Sequence, residues 1–197
     1  MSSTSTPSGS NTFEPVGMGN QVYRFITGNR VAFPPAVTDL SGTHTPYCWG
    51  CGPDAREGLG LVPRLDGSDP VADLEFDPRF EGGPGTVHGG AIAAFVDDLL
   101  GFVPVVYGTP GVTARLDTNY RKPVPLGVTV HGRAWLSAVD GDKMWAEGTI
   151  EAGDEVYVEA SALFIAISFE HYRKVHEQLT EEQLARSAAY RSGDYFP

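Results

Sequence analysis

The fold is decided by residues 88–107, which read HGGAIAAFVDDLLGFVPVVY. Apolar side chains recur along this stretch at helical spacing, at Ile92, Phe95, Val96, Leu99 and Val103. The spacing predicts one long, largely apolar helix over residues 91–107. The sequence GTPG at residues 108–111 ends this helix, because glycine and proline interrupt helical periodicity.

Strand patterns lie on both sides of this helix. Before it, residues 59–65 and 71–77 flank the turn DGSDP. After it, four further strands are predicted at about 112–122, 128–138, 143–152 and 155–168, separated by turns that contain proline or glycine. Two strands, one helix and four strands share a single core when the sheet wraps around the helix, which predicts an α+β domain.

The ends of the chain differ in composition from this domain, which we place at residues 58–169. Residues 1–20 are rich in Ser, Thr, Gly and Pro, so we expect them to be disordered. Residues 21–57 are interrupted by four prolines and predict an irregular arm. Residues 170–197 are largely polar and charged, which predicts a helical tail.

The bulk composition argues against several classes of protein. Among 197 residues, 14 are Lys or Arg and 25 are Asp or Glu, and the net charge of −11 argues against nucleic-acid binding. A few local cations can still hold an anionic ligand. Two cysteines are too few for a disulfide scaffold. The N-terminus lacks an apolar signal segment and no run of eighteen apolar residues occurs, so we expect a cytoplasmic protein without membrane insertion.

The predicted strand at residues 112–122 carries polar side chains at alternate positions. Strand alternation places five of them on one face: Thr113, Arg115, Asp117, Asn119 and Arg121. From Thr113 to Arg121 this face spans about 26 Å at ~3.3 Å per residue. It suits an extended polar ligand, or it is simply solvated, and the pattern alone leaves both interpretations open.

The start of the helix and its two aspartates are further candidate sites. Gly89 and Gly90 let the backbone approach a ligand closely, and unpaired N–H groups at a helix N-terminus favour developing negative charge. Glycines at this position are also common in plain turns. Asp97 and Asp98 are unusual inside an apolar helix. Either one acts as nucleophile or general base, or both are exposed surface acids.

Other motifs give weaker indications. His44, Cys48 and Cys51 have the side chains that bind zinc, but no fourth ligand is evident nearby in the sequence, so we predict no metal and no cofactor. The glycines at residues 81–90 do not form a nucleotide-binding fingerprint. The sequence Gly-x-Ser-x-Gly is absent, which gives a serine hydrolase no support.

Two segments carry a family resemblance: HGGAIAAFVD at residues 88–97 and TARLDTNYRKPVPL at residues 113–126. Both resemble PaaI-like hotdog thioesterases, especially the THEM4-like branch, and the likeness covers about residues 46–168. It implies the hotdog fold, an antiparallel sheet wrapped around one long central helix. It also implies hydrolysis of an acyl-CoA thioester to free acid and coenzyme A.

The resemblance implies catalytic roles for five residues. Asp97 matches the carboxylate that attacks the thioester or activates a water, and Thr113 matches the hydroxyl that orients this water. The amide of Gly89 or Gly90 would polarise the thioester carbonyl, with His88 near the sulfur. Some relatives carry Asn or Gln in the loop before this histidine, where this chain has only EGGPG.

Coenzyme A contacts and assembly are also implied by the resemblance. Asn119 and Arg121 match coenzyme A contacts, Lys122 and Lys143 are phosphate candidates, and His131 and Gly132 fall at contact positions on the following strand. The family implies a homodimer or a dimer of dimers, with each site built from two chains. A non-catalytic acyl-CoA-binding protein on the same fold is the alternative. A hotdog dehydratase or hydratase is a third interpretation, but the spacing from His88 to Asp97 fits a thioesterase better.

Overall fold

The computed structural model describes residues 26–31, 33–109, 111–167 and 174. The segment predicted to be disordered, residues 1–20, lies outside the described residues. The predicted helical tail at residues 170–197 also lies outside them, apart from Lys174. The described residues between 26 and 57 contain turns and bends but no helix or strand.

Within the described residues, six strands and one long helix form the domain. In chain order they are β1 (Arg64–Asp66), β2 (Asp69–Glu75), α1 (Gly89–Val106), β3 (Gly111–Tyr120), β4 (Thr129–Asp140), β5 (Lys143–Ala152) and β6 (Glu155–Ala166). The sheet has the order β1-β2-β4-β5-β6-β3, and each neighbouring pair is antiparallel. The predicted hotdog arrangement, an antiparallel sheet around one central helix, is confirmed.

The first predicted strand is largely wrong. The sequence pattern placed it at residues 59–65, whereas β1 starts only at Arg64. The Leu59 amide instead donates to the Trp49 carbonyl at 2.8 Å, and the Leu61 amide donates to the Gly50 carbonyl at 2.9 Å. These alternating leucines therefore pair with the arm rather than with the sheet.

Helix α1 packs closely across the sheet because β4 has a glycine beneath it. A Cβ atom added at Gly132 would lie 2.7 Å from Leu99 Cδ2 and 2.8 Å from Phe95 Cζ, well inside van der Waals contact. Phe95 and Leu99 are fully buried in the main core together with Val96 and Val103. Gly132 thus sets the distance between the helix and the sheet.

The arm covers the far side of α1. Leu40 forms a second buried cluster with Phe102 and Val106 of the helix. Helix α1 has the length and mean hydropathy, 1.7, of a membrane span, and 61% of it is buried within the fold. A helix that is enclosed by its own sheet and arm has the same all-round apolar character.

Candidate active site

Asp97 and Thr113 meet between the middle of α1 and the start of β3. Thr113 Oγ1 donates a hydrogen bond to Asp97 Oδ1 at 3.0 Å. Asp97 is half-buried, and its burial raises the pKa of the carboxyl while the hydrogen bond from Thr113 opposes that shift. The pair therefore holds a partly desolvated carboxylate beside a hydroxyl group, and both groups are able to form hydrogen bonds with a water molecule.

A β-bulge turns Thr113 towards the helix. Thr113 pairs with Phe164 of β6 and Arg115 pairs with Leu163, so Ala114 is the extra residue on β3. Phe164 belongs to the main core, and residues directly opposite each other in a sheet share a face. Thr113 consequently lies on the helix side of the sheet, within reach of Asp97.

The same bulge corrects the predicted faces of this strand. Alternation placed Thr113 on one face with Asn119 and Arg121, but one extra residue exchanges the faces on either side of it. Asn119 Nδ2 and Arg121 Nη2 contact Glu159 Oε2 at 3.4 and 2.6 Å, on the outer face of the sheet. Asn119 and Arg121 do share a face, but the prediction that Thr113 shares it is wrong.

The N-terminus of α1 is held by His88 and Tyr120. His88 is the N-cap residue, and its Nδ1 accepts a hydrogen bond of 2.9 Å from the Gly90 amide. Tyr120 Oη donates to the Gly89 carbonyl at 2.9 Å. Among the described residues, no acceptor binds the Gly89 amide. Gly89 therefore offers the available N–H group of the predicted Gly89-Gly90 pair.

Tyr120 was not among the predicted site residues. It lies on the helix side of β3, opposite the buried Val158. The sequence could have indicated this residue, because adjacent residues of a strand face opposite sides of the sheet and Asn119 faces the outer side.

The predicted coenzyme A contacts are spread over the sheet. Arg121 pairs with Glu159 at 2.6 Å and Lys122 pairs with Glu155 at 2.7 Å. Both cations follow the C-terminal end of β3, whereas Thr113 lies at its N-terminal end. Lys143 begins β5 at the Thr113 end of the sheet, since it pairs with Ile165, which in turn pairs with Val112. Arg121 and Lys122 are close together, and Lys143 is separate from them.

The two predicted contacts on β4 lie elsewhere. Strand β4 is three places from β3 in the sheet, a separation of about 14 Å at ~4.8 Å per strand. His131 contacts Asp73 Oδ1 at 2.7 Å through its Nδ1 atom, and Gly132 lies under the helix. Within one chain, neither His131 nor Gly132 lies close to Arg121.

Asp98 points away from Asp97 and towards the arm. Its side chain is 8% exposed, and its Oδ1 atom lies 3.2 Å from His44 Nδ1 and 3.1 Å from Cys48 Sγ. Burial raises the pKa of Asp98, and the contact with His44 opposes the shift. Together with Cys51, these side chains form a cluster of potential metal ligands. The sequence indicated His44, Cys48 and Cys51 but did not indicate Asp98 as the fourth member.

Comparison with known proteins places this site in a family. The family model described as the thioesterase superfamily matches residues 84–159. A crystal structure of a thioesterase superfamily protein, RHA08564, is 30% identical with a TM-score of 0.57, and the match covers 66% of this chain and 72% of that one. The chain belongs to the thioesterase superfamily. The matched residues include α1, β3, β4 and β5, and so both Asp97 and Thr113.

A curated relative and a second solved structure extend this comparison. Acyl-coenzyme A thioesterase THEM4 of Mus musculus is 40% identical over 91 residues, which are 45% of this chain and 39% of that protein. The chain thus spans less than half the length of this curated relative. The structure of smu.793 from Streptococcus mutans, bound to acetyl CoA, shares the fold at 19% identity and a TM-score of 0.51, over 55% of this chain and 87% of that one.

Proposed function

We propose that this chain hydrolyses an acyl-CoA thioester to the free carboxylic acid and coenzyme A. The observation that carries the proposal is the 3.0 Å hydrogen bond between Thr113 and Asp97. It leaves the second carboxylate oxygen of Asp97 to act on a water or on the thioester, while the hydroxyl fixes the orientation of the carboxyl group. The identity with the THEM4 acyl-coenzyme A thioesterase supports the choice of substrate.

The reaction needs a base or nucleophile and an oxyanion donor. Asp97 takes a proton from water, whose oxygen then attacks the carbonyl carbon, or Asp97 attacks that carbon itself. In both routes the carbonyl oxygen gains negative charge, the carbon–sulfur bond breaks and the thiolate of coenzyme A leaves. In the first route the proton held by Asp97 passes to the leaving thiolate. In the second route water then hydrolyses the anhydride between the acyl group and Asp97, which releases the free acid and restores the carboxylate. A backbone N–H group at a helix N-terminus stabilises such an oxyanion, and the Gly89 amide suits this role.

We further propose that each site uses two chains of a homodimer, alone or within a dimer of dimers. Eight residues of helix separate Gly89 from Asp97, so their backbones are about 12 Å apart at ~1.5 Å per residue. The attacked carbon and its oxygen are one bond apart, so both groups cannot act on one thioester from one chain. Antiparallel packing of a second α1 would bring Gly89 of one chain to Asp97 of the other.

Coenzyme A would bind along the outer end of β3 through Arg121 and Lys122. The side chains of both cations are about half exposed, and each forms an ion pair at the surface. Such surface ion pairs contribute only about 0–1 kcal/mol to stability. A phosphate group can therefore compete for them, and the planar guanidinium of Arg121 suits it especially. Asn119 would assist there, while His131, Gly132 and Lys143 stay predicted contacts. These three lie apart from Arg121, so we propose that they would come from a partner chain. We also propose a cytoplasmic location, since Cys48 and Cys51 lie close together but form no disulfide.

Hydrolysis is tested with a panel of short-chain, long-chain and aromatic acyl-CoA substrates, measuring release of free thiol. We expect turnover by the wild-type chain and a loss of at least about 100-fold in kcat for Asp97→Asn. Coenzyme A binding should be retained, because Asp97 lies away from Arg121. Asp140→Asn is the matched control, since it replaces an exposed aspartate at the end of β4.

Two results would contradict the proposal. Wild-type kcat in the Asp97→Asn variant would remove this carboxylate from the mechanism. Tight binding of the whole panel without thiol release would replace hydrolysis by a binding function.

A further inference from the structure

One imidazole, one carboxylate and two thiols meet where the arm crosses α1. His44 Nδ1 lies 3.2 Å from Asp98 Oδ1 and 3.3 Å from Cys51 Sγ. Cys48 Sγ lies 3.1 Å from Asp98 Oδ1 and 3.9 Å from His44 Nδ1, and Cys51 Sγ lies 3.6 Å from Asp98 Oδ1. All four ligand atoms lie within 4.8 Å of one another.

These separations match the edges of a zinc tetrahedron. Zinc binds sulfur at about 2.3 Å and nitrogen or oxygen at about 2.0–2.1 Å, so neighbouring ligands of a tetrahedral site are roughly 3.3–3.8 Å apart. The five measured separations run from 3.1 to 3.9 Å. We propose that His44, Cys48, Cys51 and Asp98 bind one Zn²⁺ ion.

The backbone of the arm is shaped to bring its thiols to the carboxylate. The amide of Gly52 donates to the Cys48 carbonyl at 2.8 Å, which closes a tight turn around both cysteines. Gly50 packs directly on Asp98, and a Cβ atom at this position would collide with the carboxyl group. The glycine between the cysteines is therefore required for the arm to reach the helix.

The imidazole and the carboxylate are also held in place. The ring of His44 stacks on Phe102 with centroids 4.0 Å apart and planes within 15°. Asp98 Oδ2 is buried, without a hydrogen-bond partner in the described part of the chain. A buried carboxylate beside two sulfur atoms is costly without a cation, and a divalent metal supplies the compensating charge.

The ligand set selects the type of metal and its role. Thiolate and imidazole favour zinc over the hard cations magnesium and calcium. Four protein ligands leave no open position for substrate, which is the arrangement of a structural site. The ion would tie the arm to α1 one residue beyond Asp97 and so stabilise the part of the helix that carries it. The metal site itself does not depend on the proposed hydrolysis, since its occupancy is measured without substrate.

The test begins with the metal content of the full chain, purified without chelator and without an affinity tag that binds metal. Mass spectrometry of the metals should find one zinc per chain in the wild type. The double variant Cys48→Ser and Cys51→Ser should retain less than a tenth of that zinc. Asp97→Asn is the matched control for Asp98→Asn, because the two aspartates are neighbours: the first should keep its zinc and the second should lose most of it.

A second measurement uses only the wild-type chain, so its result does not depend on whether the variants fold. Metal-free wild-type protein titrated with Co²⁺ should develop the sulfur-to-cobalt charge-transfer absorption of a tetrahedral site, and Zn²⁺ should displace it. Removal of zinc from the wild type by a chelator should lower its Tm by several degrees, and added zinc should restore it.

Three results would overturn the proposal. The first is a wild-type chain that contains no zinc and gives no cobalt–thiolate absorption. The second is a Cys48–Cys51 disulfide, seen as a mass lower by two hydrogens with no titratable thiol. The third is full zinc content in the double cysteine variant.

Discussion

Asp97 and Asp98 are adjacent residues that belong to different sites. Successive residues of an α-helix are rotated by about 100°, so the two side chains leave α1 in different directions. Asp97 meets Thr113 on the edge strand, and Asp98 meets the cysteines of the arm. The helix is apolar enough that neither carboxylate could be buried without these partners. One turn of α1 thus carries both the proposed catalytic carboxylate and the carboxylate that contacts the arm.

The hydroxyl of Thr113 should affect the chemical step more than substrate binding. Thr113→Val keeps the shape of the side chain but removes the donor to Asp97 Oδ1, so we expect kcat to fall about 10- to 100-fold with KM nearly unchanged. Thr113→Ser keeps the hydroxyl and should stay within about threefold of wild-type kcat. Steady-state kinetics of thiol release measures both. A rise in KM alone for Thr113→Val would assign the residue to binding instead.

Individual residues were predictable from the sequence only where the signal is local. Asp97 and Thr113 were selected by motif and pattern, and the structure brings them into contact. Asp98 could not be identified as a partner of Cys48, because 50 residues separate them and no spacing rule connects an arm to a distant helix. Only the tertiary packing of the arm on α1 reveals that pair.

At the scale of elements, regular segments were predictable and irregular ones were not. Helix α1 and strands β2 to β6 differ from their predicted bounds by at most two residues. The leucines at residues 59 and 61 alternate as in a strand, yet their amides bond to the arm. The bulge at Ala114 was also invisible, since alternation assumes an uninterrupted ladder and any residue type can occupy the extra position.

Deleting Ala114 should leave Thr113 on the helix side of the sheet. Without the extra residue, Thr113 directly precedes Arg115, and an uninterrupted ladder keeps the pairs Thr113–Phe164 and Arg115–Leu163. We therefore expect kcat of the deletion variant to stay within about fivefold of wild type, a smaller loss than in Thr113→Val. Ala114→Ser keeps the bulge and is the matched control. Far-ultraviolet circular dichroism establishes that the sheet persists, and thiol release measures kcat. A loss as large as that of Thr113→Val would show that the bulge itself is needed to position the hydroxyl.

At the scale of the whole molecule, strand β3 is the longer of the two edge strands of the sheet. Among the described residues it pairs only with β6, and Val112 and Tyr120 on it are 44% and 47% exposed. A long edge strand with unpaired backbone groups is normally covered or paired in a native protein. The strand that carries Thr113 is therefore the one best placed to meet a second chain. A single sequence cannot reveal that contact, because it depends on surfaces that only the folded chain presents.

Two inactive chains should restore each other if the site is shared. Gly89→Pro removes the N–H group with little change to the backbone. Gly89 is the first helical residue, where proline is tolerated, and His88 already has the extended backbone, φ −61° and ψ 132°, that precedes proline. The added ring carbons have room, since a Cβ atom at Gly89 makes only van der Waals contact with Tyr120, at 3.7 Å. We expect Gly89→Pro to lower kcat about 100- to 1000-fold and Gly89→Ala to remain active. After subunit exchange at equal amounts with Asp97→Asn, half of the dimers are mixed and each has one intact site. About a quarter of wild-type activity should therefore return.

The structure supplies a matched control for this rescue. Asp97 and Thr113 bond to each other within one chain, so both belong to the same half of a shared site. In a mixture of Asp97→Asn with Thr113→Val, every site takes both residues from one chain and so contains one of the two substitutions. No rescue should therefore occur. Labelled subunits and native mass spectrometry establish that exchange has taken place in both mixtures. A fully active monomer, or exchange without rescue in the Gly89→Pro mixture, would place the whole site in one chain, and the Gly89 amide would then have no role in the reaction.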